Sequence, residues 1–73
     1  MTSKYSMMIE WSDEDDAYIV TLPEFPNNRT HGATYEEAAR NGQEVLAMLI
    51  DMHQTAHRPL PPPRVMQSTP VLV

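Results

Sequence analysis

From Lys4 to Trp11, and again from Ala17 to Leu22, side chains change face with a period of two, and only Ser12 to Asp16 separate the runs. That period belongs to the β-strand, and so short a connection joins two strands as an antiparallel hairpin. In the first run Tyr5, Met7, Ile9 and Trp11 share one face, while Ser6, Met8 and Glu10 share the other. In the second run Tyr18, Val20 and Leu22 oppose Ala17, Ile19 and Thr21. Joining the two richer faces makes a continuous apolar surface that folding has to remove from water.

The chain after the hairpin supplies the cover. Pro23 and Pro26 end the second strand, because proline has no N–H to give the ladder. The Asn27-Asn28 turn signal then opens a short third strand around Arg29 to His31. Thr34-Tyr35-Glu36-Glu37 has the form of a capping box, in which Thr34 and Glu37 satisfy amides at a helix start. At 3.6 residues per turn, Tyr35, Ala38, Gly42, Val45, Leu46, Leu49 and Met52 fall on one side of that helix. Glu36, Arg40, Gln43, Glu44, Ala47 and Asp51 fall on the other. The helix is predicted to run to about His57 across the hairpin, with Gly42 marking a close approach to the sheet.

Four prolines among residues 59 to 63 exclude further helix and favour an extended segment. The expected fold is α+β: an antiparallel three-stranded sheet with one main helix packed on it. Residues 1–58 form that domain, and 59–73 a proline-rich spacer ending in Val71, Leu72 and Val73. Those three are expected to be a tail or an edge strand, a β4 added to this sheet or to a neighbour's.

Size and composition narrow the function. A 73-residue chain buries only about 60% of its unfolded surface and needs support. With no cysteine, disulfides and cysteine-based zinc sites are excluded, which leaves self-association. One helix covers one sheet face, so Met8 and Ile19 on the other face, with Val71 to Val73, are the expected oligomer interface. The N-terminus lacks the pattern of a signal peptide, and "VLAMLI" is too short to span a bilayer, so a cytoplasmic protein without membrane contact is expected. Ten acids against five bases give a net charge of -5. Such a surface repels phosphate backbones and attracts a basic protein.

Asp13, Glu14, Asp15 and Asp16 fill the hairpin turn. They are contiguous and lack the glycine and distant glutamate of a calcium loop, and adjacent loop acids splay rather than converge on a metal pair. A solvated turn that also serves recognition fits them better. His53 and His57 have the spacing of two helical metal ligands, but "HQTAH" lacks the glutamate between them, and the helix dipole suits histidines there anyway. His31 has no cysteine or well-placed serine to act on. Pro59, Pro62 and Arg64 match a proline-motif ligand, although a rigid spacer explains the same stiffness. No catalytic residue, metal or cofactor is expected.

"YSMMIEWSDEDDAYIVTLPEFP" followed by "THGATYEEAARNGQEVL" resembles the N-terminal domain of the HicB-like antitoxin family. Its pattern is an alternating strand, an acidic turn, an aromatic-valine strand, a Leu-Pro-acid-apolar-Pro exit and a Gly-x-Thr-x-x-Glu-Ala helix start. Asn27-Asn28 stands where the family commonly has Gly-Cys, and Ala33 where an acid often precedes the threonine. With 73 residues, the DNA-binding domain that full-length members add is not expected. The resemblance implies a reduced ribonuclease H-like topology and a non-enzymatic role, neutralising a small basic HicA-like ribonuclease that cleaves mRNA. Asp13, Glu14, Asp15, Asp16, Glu24, Glu36 and Glu44 are the expected contact acids. Two other expectations are a divergent metal-dependent nuclease using Glu10 with the loop acids, and a self-assembling module without a dedicated partner.

Overall fold

A computed structural model of the chain describes residues 4–66. Three strands, β1 (Met8–Ser12), β2 (Ala17–Thr21) and β3 (Arg29–Gly32), precede a single helix, α1 (Tyr35–Thr55). The strands form one antiparallel sheet in the order β1-β2-β3, with α1 packed on one face, which is the α+β arrangement expected. The expected Val71–Val73 edge strand lies outside the described residues.

The register explains where the first strand starts. Met8 pairs with Thr21, Ile9 with Val20, Glu10 with Ile19, Trp11 with Tyr18 and Ser12 with Ala17. Continuing it backward would set Met7 beside Leu22 and Ser6 beside Pro23, which cannot donate to a ladder. Pairing therefore stops at Met8 instead of reaching back to Lys4. Ser6 gives its amide to the Glu24 carboxylate instead (3.1 and 3.2 Å).

Val20, Leu22, Phe25, Ala38, Leu46 and Leu49 form the core, with Tyr5, Met7, Ile9, Tyr18, Val45 and Leu60 packed around them. Val20 has no exposed surface. The helix buries Ala38, Gly42, Leu46 and Leu49 of the predicted stripe and half-buries Val45, while Tyr35 and Met52 at its ends stay exposed beyond the edge of a sheet only four or five residues long. Ile50 is buried as well. Gly42 sits where expected: a Cβ there would come within 2.5 Å of the Met7 sulfur and 3.0 Å of Val20 Cγ1.

Both helix ends are capped by sequence-local means. Thr34 Oγ1 accepts the Glu37 amide (3.1 Å), the Thr34 half of the capping box. At the other end Arg58 N–H donates to His53 O (2.9 Å) and His57 N–H to Gln54 O (3.2 Å), a Schellman pattern. His57 holds the left-handed conformation (φ 56°) that glycine usually fills there, and Pro59 prevents continuation.

The proline segment is strapped back onto the domain. Tyr5 Oη donates to Pro61 O (2.7 Å), and Arg64 O lies 3.3 Å from Ser6 Oγ as an alternative acceptor for its one proton. Glu24 is the buckle, accepting from Arg64 N–H (2.7 Å), Ser6 N–H and Ser6 Oγ (3.2 Å). Removal from water pushes its carboxyl up, but the Arg64 and Ser6 amides outweigh this and hold it below the ordinary 4.5. A lowered folded pKa means that the stability from this group is complete above 4.5 and is lost as pH falls through the folded value. Glu24→Gln is accordingly expected to melt below the wild type at neutral pH, with the gap closing as pH falls through that window. Thermal melts across the acid range check this, and a gap that does not change with pH would contradict it.

Candidate partner-binding surface

The hairpin turn and the helix start lie at the same end of the sheet. Four residues, Asp13 to Asp16, close the turn, with Asp16 in the left-handed region (φ 52°). An aspartate tolerates that conformation better than most residues, and its side chain points to solvent. Ser12 orders the loop: Asp15 N–H donates to Ser12 Oγ (3.2 Å), and Ser12 Oγ donates to Asp15 Oδ2 (3.0 Å). Trp11 Nε1 donates to Asp13 Oδ1 (2.8 Å). All four acids are exposed, and their charge is presented on a turn held in one shape.

Beside the acids stands an aromatic ladder that periodicity alone assigns to the core. Trp11 meets Tyr18 edge-on at 5.0 Å, and Tyr18 lies against Tyr35 at 4.2 Å. Tyr18 is half-buried, but Trp11 is 47% exposed and Tyr35 58% exposed. The helix begins at Tyr35, so it offers no further turn to cover Trp11. Pattern counting places a side chain on a face; it does not say how far the covering helix reaches. The warning available in the sequence is that Trp11 and Tyr35 each adjoin the end of an element.

The predicted contact acids do not form one cluster. Asp13, Glu14, Asp15 and Asp16 share the aromatic end with Glu36 and with Glu37 of the same helical turn. Glu44 lies two turns along the outer face of α1. Glu24 sits at the far end of β2, its carboxylate engaged with Ser6 and Arg64. Glu10 is exposed on the sheet face away from α1, in a row with Ile19 and His31. His53 packs edge-on against Phe25 (5.6 Å), and His57 lies beyond the helix, so the two do not share a helical face. Among the described residues no group of three His, Asp or Glu side chains converges as metal ligands do. Among the same residues no helix is long and apolar enough to cross a membrane.

An acidic, aromatic-centred end suits a basic protein partner, because large rigid rings supply contact area and surrounding carboxylates supply steering. The profile of one protein family, described as HicB_like antitoxin of bacterial toxin-antitoxin system, matches residues 4–73. No curated protein and no solved structure matches the chain. The matched span includes the sheet, the helix and the strap together, and on it the chain belongs to the HicB-like antitoxin family of bacterial toxin–antitoxin systems.

Proposed function

We propose that this chain neutralises a small basic toxin of the HicA type, an mRNA-cleaving ribonuclease, by covering it without doing chemistry of its own. The observation that carries this is the exposed Trp11–Tyr18–Tyr35 ladder beside Asp13, Glu14, Asp15, Asp16 and Glu36. The rings act as the anchor and the acids as the steering rim, competing with RNA for the toxin's basic surface. Glu44 extends the acidic field along the helix. Glu24, already accepting internal donors, adds charge rather than new hydrogen bonds. The antitoxin works in the cytoplasm, as a homo-oligomer.

Co-expression with a small basic HicA-type ribonuclease, taken from the neighbouring reading frame where that frame encodes one, tests this. The wild type is expected to restore growth and to co-purify with the toxin. Trp11→Ala is expected to weaken binding by about thirtyfold or more, the effect of losing an interface anchor. Replacing Asp13, Glu14, Asp15 and Asp16 by their amides is expected to slow association chiefly, and more strongly at low salt. Undiminished protection by both variants would rule this surface out.

A further inference from the structure

The sheet face turned away from α1 is uncovered among the described residues. The register sets its side chains in rows, Met8–Thr21–Arg29 and Glu10–Ile19–His31, with Ser12 and Ala17 beyond. The acid is on β1, the bases are on β3, and Ile19 stands between them. Neighbouring strands are about 4.8 Å apart, so Glu10 and His31 are separated by roughly 10 Å across their row. Among the described residues neither these two side chains nor that of Arg29 has an ion-pair partner.

The relief of the face follows the same division. On the β1 side Met8 is 48% exposed. On the other side is a hollow of about 490 Å³ lined by Asp15, Ala17, Ile19, Arg29, Thr30 and His31. Shape therefore reverses across β2, and charge does so between Glu10 on β1 and Arg29 and His31 on β3, with Asp15 adding an acid at the hairpin end of the hollow. A surface with that property complements itself when turned over about the line of β2.

We propose that a second copy of this chain docks on the open sheet face about a two-fold axis parallel to β2, setting Glu10 of each copy opposite His31 of the other, with Arg29 one row along the same strand. β1 of one copy then lies over the hollow beside β3 of its partner, and the two Ile19 side chains meet on the axis. Turning the copy about an axis perpendicular to the strands would set Glu10 on Glu10, which like charges oppose. Sheets packed this way stack about 10 Å apart, a distance that the Ile19, Met8 and Thr21 side chains fill.

A three-stranded face of this length covers roughly 14 Å by 17 Å. That is well under the ~800 Å² per partner of stable complexes, so the dimer is weak and its charges decide whether it forms. The geometry brings both acidic hairpin tips to one end, which opposes docking but doubles the negative field offered to a basic partner. The inference deepens the homo-oligomer part of the proposed function, and its test uses no toxin, so either can fail alone.

Sedimentation equilibrium of the full chain over a rising concentration series is the test. Wild type is expected to self-associate, whereas Glu10→Arg alone, and Arg29→Glu with His31→Glu, each lose more than about tenfold in affinity. An equimolar mixture of the two variants is expected to regain association, because the introduced arginine then faces the introduced glutamates while Glu10 faces Arg29 and His31. Should either swap fail to fold by circular dichroism, Glu10→Gln supplies the milder version, with a several-fold loss. A wild type that stays monomeric, variants that assemble as well as wild type, or folded variants that do not associate when mixed would each overturn the proposal. Assembly that survives the swaps but disappears on removal of residues 71–73 would overturn it in favour of the tail.

Discussion

Replacing Gly32 by alanine is expected to cost about 2–3 kcal/mol and to lower the melting temperature by about 10–20 °C. A Cβ on Gly32 would fall against Ala38 N, 2.7 Å from Ala38 Cα and 2.9 Å from the Glu37 carbonyl carbon. These are backbone atoms of the first helical turn, so no rotamer change can make room. Neither side can yield easily, because Gly32 is paired to Tyr18 in the ladder while Thr34 holds the helix start two residues later. Gly42→Ala is the control. Its Cβ would meet only side-chain atoms, the nearest at the flexible end of Met7. That clash is partly offset by about 1 kcal/mol of helix propensity. A domain of this size has a total stability of about 4–11 kcal/mol, so the difference between the two variants is easily read. Paired thermal melts check it, and a Gly32→Ala variant melting with the wild type would show that the strand-to-helix junction can shift.

The contrast between the two glycines shows what the sequence makes legible. Gly42 lies within a periodic stripe, and periodicity alone predicts that a backbone comes close there. Gly32 is followed by a capping box, which marks a helix start but not that the helix doubles back over its own strand. The hairpin, the third strand and the helix were legible for the same reason, since each rests on local spacing and on turn or cap residues. Trp11 was not: its alternation places it on the covered face, and the reach of the cover is a tertiary fact. Glu24 shows the same limit from the polar side. It looks like one more exposed acid until Ser6 and Arg64, distant in sequence, bring their amides to it.

Site and scaffold are separated by this arrangement. The groups proposed for recognition gather at the hairpin-and-helix-start end, where Trp11, Tyr35 and the turn acids remain exposed. The opposite end is occupied by the strap, in which Tyr5, Glu24, Pro61 and Arg64 hold the segment before β1 and the proline segment together. A small domain with no disulfide has few other means of restraining such segments. Substitutions at the strap are thus expected to act on stability, and substitutions at the aromatic end on binding.

Phe25→Ala tests that division and is expected to cost about 3–5 kcal/mol, the largest effect among these substitutions. Phe25 is 5% exposed and lies between two rings, Tyr5 at 5.1 Å and His53 at 5.6 Å, both edge-on. It joins the segment before β1, the turn after β2 and the last turn of α1 in a single contact, and its amide also closes that turn onto Leu22 O (2.9 Å). Truncation leaves a cavity whose walls come from three elements that cannot all close in together, so the loss falls in the upper part of the range for a buried aromatic. Tyr5 loses its packing partner, and with it the orientation that carries the bond to Pro61. Urea denaturation is expected to show a lower midpoint for Phe25→Ala with little change in slope. Hydrogen exchange on the folded variant is expected to accelerate around residues 5–7 and at the C-terminal turn of α1, while the β1–β2 ladder near Trp11 and Tyr18 keeps its protection. Equal acceleration at both ends would mean that the sheet and the strap unfold as one unit, and the assignment of stability to one end and recognition to the other would fail.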